Sequence, residues 1–80
     1  MVVVHRAHGC RFIVYLDDHL PAHVHVVQGR DEAKIAIGLA TEDPSVIWNR
    51  GLTAATLRRV MREMKAQQAT LRAKWTEIHG

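Results

Sequence analysis

Within its first 38 residues the chain carries four β-prone stretches, and no gap between them is long enough to hold a crossover. Residues 2–7 (VVVHRA) are β-branched and end at His8-Gly9, a turn signal. Residues 10–16 (CRFIVYL) close on Asp17-Asp18, and residues 22–28 follow Pro21. Residues 32–38 (EAKIAIG) come after the hairpin turn Gln28-Gly29-Arg30-Asp31. Pro21 has no backbone donor, which confines it to the approach of its strand. Parallel neighbours need a crossover of about a dozen residues or more, so the four strands are expected to form an antiparallel meander.

Residues 45–49 (SVIWN) read either as a short fifth strand or as an irregular arm carrying Trp48. Thr53 is the expected N-cap of a helix that meets no Gly or Pro before Gly80. At about 100° per residue, Val60, Met61, Met64, Leu71, Trp75 and Ile78 fall within roughly 60° of Leu57 and form one apolar stripe. Arg58, Arg62, Lys65 and Arg72 gather on one flank of it. An unbroken helix over 54–79 would run roughly 39 Å, against about 20 Å for a six-residue strand. It must overhang the sheet or break, and Gln67–Thr70, where Gln68 interrupts the stripe, is the expected place. The expected fold is therefore α+β, a single domain over residues 1–80. It is a four-stranded antiparallel meander with an optional fifth strand, packed on one face by a C-terminal helix.

With 80 residues, 48% of them hydrophobic and 24% charged, the composition is globular. A domain this small buries only about 60–65% of its extended-chain surface, so a partner subunit would help it. The single cysteine, Cys10, allows no internal disulfide, which fits a reducing compartment. The longest apolar run near the start, Val2-Val3-Val4, is too short for a signal or a membrane span. A cytoplasmic protein with no membrane partner is the expectation. The formal charge of +3 is uneven: residues 53–80 hold six Lys/Arg against two Asp/Glu, while residues 1–52 hold five against six. That basic third would suit an acidic protein partner or nucleic acid, with a solvated helix flank as the bland alternative.

Strand alternation gives the histidines their meaning. Phe12, Val14, Val24, Val26, Ile35 and Ile37 are expected against the helix. Arg11, Tyr15, His23, His25 and Lys34 then share the opposite face, with Ile13 and Val27 among them. The turn Asp17-Asp18-His19 lies at one end of that face. Two readings of the chemistry follow. In acid–base chemistry on RNA, His23 and His25 would serve as base and acid, Arg11 and Lys34 would hold phosphate, and Tyr15 would orient or stack on a base. Arg58 and Arg62 would add phosphate contacts. In the metal reading, His23 and His25, with Cα atoms roughly 6.5–7 Å apart, reach one ion, and His19 or Asp18 completes a three-ligand site. No metal-ligating residue and no cofactor is assigned from the sequence. A structural reading competes with both: Asp17 or Asp18 caps the turn, and the histidines hold the loop by hydrogen bonds.

Gly9-x-Arg11-Phe12, Asp17-Asp18-His19-x-Pro21-x-His23-x-His25-Val26, Gly29 followed by Glu32-Ala33-Lys34-Ile35, and the late helix with Trp75 resemble the prokaryotic domain of unknown function 4160. The resemblance covers nearly the whole chain. It implies a small prokaryotic protein encoded beside another small protein, the two forming a toxin–antitoxin-type pair. Asp18, His19, Pro21, His23 and His25 carry over as signature positions without an established reaction. Ala22 departs from the pattern, where a second proline is usual. Taken with the residues, this implies a component that binds a small cognate protein or a second copy of itself, with RNA as an open substrate through Tyr15, His19, His23 and His25. The competing class is a non-enzymatic interaction module whose histidine face is the interface. A metal-binding protein stands third.

Overall fold

The computed structural model describes residues 1–80. Five strands, β1 (Val2–Ala7), β2 (Cys10–Val14), β3 (His23–Gln28), β4 (Asp31–Ala36) and β5 (Ser45–Arg50), are followed by α1 (Ala54–Ala66) and α2 (Gln68–His79). The sheet keeps sequence order, each strand antiparallel to the next. The segment around Trp48 is a strand and not an arm. Its pairing with β4 shifts between Lys34 and Ile35, a bulge at the sheet edge that leaves Val46 and Ile47 exposed. No helix is long and apolar enough to cross a membrane.

Thr53 caps α1 as expected, its hydroxyl accepting the Thr56 N–H at 3.1 Å. The helix breaks at Gln67, and the next side chain is tied down where it does. Gln68 is buried, and its amide nitrogen donates to the carbonyls of Ile37 (2.9 Å), Glu42 (2.7 Å) and, more weakly, Leu39 (3.3 Å). Gly38 lets the loop approach, since a Cβ there would lie 3.1 Å from both the Gln68 amide and the Asp43 carbonyl.

The core is the one expected: Phe12, Val14, Val24, Val26, Ile35 and Ile37 are buried against Val60, Met64, Leu71 and Trp75. Each such side chain contributes roughly 1.5–3 kcal/mol by leaving water. Cys10 joins this cluster, and burial pushes its thiol up from the ordinary range, which keeps it protonated and unreactive. Two expectations about the opposite face are corrected. Ile13 is 2% exposed and His23 is 2% exposed, so neither is displayed. His23 stands at the first position of β3, with the Trp75 ring 5.3 Å away, so α2 and the loop before β3 close over that end of the sheet.

Gln68→Leu should cost roughly 1–3 kcal/mol, because three loop carbonyls lose their shared donor without a replacement. Urea unfolding monitored by circular dichroism measures it; an unchanged midpoint would show that the break has another cause.

Candidate metal centre

Asp18, His23 and His25 converge. One ligand atom from each lies within 4.8 Å of the others. Asp18 Oδ1 is 3.3 Å from His23 Nε2 and 3.6 Å from His25 Nε2, and the two rings are 5.2 Å apart, centroid to centroid. The two-residue strand period brings the rings together, since positions 23 and 25 lie on one face of β3. Asp18 arrives from the turn that follows β2.

Each of the three is held from behind. The Tyr15 N–H donates to Asp18 Oδ2 at 2.9 Å, and the Asp18 N–H donates to the Tyr15 carbonyl at 3.1 Å. This closed turn fixes the carboxylate and leaves Oδ1 facing the imidazoles. His23 Nδ1–H donates to the Pro21 carbonyl at 2.8 Å, and His25 Nδ1–H donates to Glu32 Oε2 at 2.8 Å. A carbonyl and a carboxylate can only accept, so each Nδ1 carries a proton, and in the neutral form of either ring Nε2 carries the lone pair. Metal-ligating histidines are oriented by this kind of support.

Burial makes the arrangement costly. His23 Nε2 is shut off from solvent and has no hydrogen-bond partner in the protein, while the side chains of Asp18 and His25 are each only 13% exposed. With both rings neutral, two nitrogen lone pairs face a carboxylate oxygen and repel it. One proton relieves one ring; a divalent cation relieves both rings and the carboxylate together.

Of the residues singled out from sequence, Tyr15 lies against His25 in an edge-to-face contact at 4.8 Å. Lys34 is directly opposite His25 on β4, and Trp48 is opposite Lys34 on β5. His19 is exposed and stands outside the cluster, so Asp18 and not His19 is the third member of the candidate ligand set. Arg11 is exposed two residues along β2 from Ile13, which pairs with His25. Arg58 and Arg62 are exposed on α1 and make no ion pair with the centre. Glu32 was missed. Its signal lay in the hairpin, whose register pairs Glu32 with Val27 and so sets it diagonally from His25 on the same face.

Two-bond ¹H–¹⁵N correlation spectra of the metal-free protein, with neutral rings, should show His23 and His25 protonated at Nδ1. A proton at Nε2 of either ring would remove that ligand.

A family model, Domain of unknown function (DUF4160), matches residues 9–76, which include all three converging residues and Glu32. No curated protein and no solved structure matches the chain.

Proposed function

We propose for this chain, which belongs to the DUF4160 family, a metal-binding function in which Asp18, His23 and His25 hold one divalent ion of the zinc type. The carrying observation is His23 Nε2, buried, without a partner and 3.3 Å from Asp18 Oδ1. At zinc bond lengths of about 2.0–2.1 Å, tetrahedral geometry sets neighbouring ligand atoms about 3.3–3.4 Å apart. The spacings of 3.3 and 3.6 Å around Asp18 Oδ1 fall close to that edge length. Two imidazoles and one carboxylate suit zinc better than calcium or magnesium, which prefer all-oxygen shells. With three protein ligands, such an ion would keep a fourth position open and would supply a Lewis acid there.

Untagged protein stripped with chelator should take up one Zn²⁺ or Co²⁺ per chain, with Co²⁺ giving the intense visible bands of a tetrahedral site. His25→Ala or Asp18→Ala should abolish stoichiometric uptake. Glu32→Gln, which alters only a supporting bond, should weaken it roughly 10–100-fold. Acidification should release the ion, because protons compete for the Nε2 lone pairs. A folded wild-type chain that retains no ion through equilibrium dialysis would end the proposal.

A second reading makes the centre the working part of a toxin–antitoxin-type component that acts on RNA and is held by a small protein partner. One observation favours it: the Arg50 guanidinium lies 4.4 Å over the Trp48 ring, one register position from Lys34 and two from His25. An arginine–aromatic pair beside a hydrolytic ion suits a stacked base and its phosphate. Expression alone should then slow growth, and His25→Ala should relieve it. Undiminished arrest by a folded His25→Ala chain would remove the centre from any such activity.

A further inference from the structure

The helices pack on one face of the sheet, and the register sorts charge onto the other. Arg6 pairs with Arg11, Arg11 with Val27, Val27 with Glu32 and Glu32 with Arg50, one row across all five strands. A neighbouring row runs through Val3, Ile13, His25, Lys34 and Trp48. Paired residues share a face, and alternation sets both rows opposite Val24 and Val26, which belong to the core.

Residues 1–52 are nearly balanced in charge, with five Lys/Arg and six Asp/Glu, but this face is not. Arg6, Arg11, Lys34 and Arg50 all stand on it, and none is neutralised by an ion pair. Of the carboxylates in the strands, Glu32 alone joins them, and its Oε2 is taken by His25 Nδ1 at 2.8 Å. Asp31 alternates to the helix side beside Gly51, Asp43 pairs with Lys65 of α1, and Asp17 and Asp18 keep to the turn at one end. The row from Arg6 to Arg50 spans four strand spacings, roughly 19 Å, so its charges track an extended polyanion better than a small one.

Stacking groups interrupt the cations. The Arg50 guanidinium lies 4.4 Å over the half-buried Trp48 ring, and Trp48 and Tyr15 flank His25 at 6.1 and 4.8 Å. Positive charge interleaved with flat side chains suits unpaired bases, whose faces are free to stack. A duplex hides those faces, and a flat sheet face offers no helix or ribbon to enter its groove.

We propose that this open sheet face binds single-stranded RNA, with Arg6, Arg11 and Lys34 on phosphates and a base stacked on the Arg50–Trp48 pair. Glu32 Oε1, a free acceptor within the cationic row, favours RNA over DNA, since a 2′-hydroxyl donates to it. The proposal deepens the second reading above by naming the strand and its surface, and it requires neither an ion nor a reaction at the centre.

The probe is a fluorescein-labelled 12-mer of oligouridine, titrated into the full chain in chelator and followed by anisotropy. Saturable binding is expected, with log affinity falling on log salt at a slope of about −3, since each phosphate contact on a single strand contributes about −0.7. Arg11→Gln should reduce that slope to about −2. Trp48→Ala should weaken binding roughly 5–100-fold and Lys34→Gln with Arg50→Gln at least tenfold, circular dichroism verifying the fold. Arg59→Gln with Lys74→Gln, both exposed on the helices, should leave affinity unchanged. Equal loss in that helix pair, or undiminished binding by the folded Lys34/Arg50 variant, would overturn the surface. An RNA duplex or oligothymidine bound as tightly would overturn the choice of single-stranded RNA, and poly-glutamate competing equally per charge would overturn nucleic acid altogether. Binding without growth arrest on expression would leave this surface standing and end the second reading. Arrest relieved by His25→Ala, with no oligouridine bound, would do the reverse.

Discussion

Pairing of β3 with β4 in the register that sets His25 opposite Lys34 is the constraint on which the rest of the molecule depends. The same register puts Val24 against Ile35 and Val26 against Ala33, and these four are fully buried. A slip by one residue would send the valines to the other face and the imidazoles into the core. Apolar burial on one face therefore locks the polar geometry on the other. The hairpin that fixes it is short: Gly29 at φ 59 supplies the left-handed turn, and Gln28 pairs with Asp31 across it.

Given that register, the centre is a local cost that the fold carries. Two imidazoles and a carboxylate lie mostly out of water, and the His23 nitrogen has no protein partner. An unsatisfied buried polar group of this kind costs about 1–3 kcal/mol. That is a large share of the total for a domain of 80 residues. Binding to the folded chain alone returns stability in proportion to the logarithm of ion concentration over its dissociation constant. A group of this cost, braced by three separate hydrogen bonds, is better explained by a ligand than by packing, for which an apolar side chain at position 23 would serve.

Much of this was legible in the chain. The meander followed from connections too short for crossovers, and the inward row followed from alternation. The Thr53 cap followed from helix rules, and a break near Gln68 was one of the two outcomes that the length mismatch left open, the other being an overhang. The pairing of His23 with His25 was legible for the same reason, since a two-residue period is robust to small errors in strand ends. Their burial was not. Alternation says which residues share a face but nothing about what covers it, and here Trp75 closes over His23 from a helix that sequence placed against the other side. Ile13 was misjudged likewise, because a sheet face counted as open is partly covered by its own row of side chains, Val3, His25, Lys34 and Trp48. The choice of Asp18 over His19 depended on the turn closed by the Tyr15 N–H, a local detail of the connection over residues 15–22.

The helix break belongs to the same design. Gln68 ties the first residue of α2 to the carbonyls of the 37–42 loop, so the helix leaves α1 at a fixed point over the end of β4. From there a helical period places Leu71 and Trp75 on the core and Arg72 beside the turn of Asp18. Trp75 then touches His23 on one side and stacks with His79 at 4.0 Å on the other. One buried amide thus sets where the aromatic wall of the centre stands, although it lies outside the centre itself. The cover over His23 thus comes from two places in the chain, the loop before β3, whose Pro21 carbonyl accepts from its ring, and Trp75 of the distant helix.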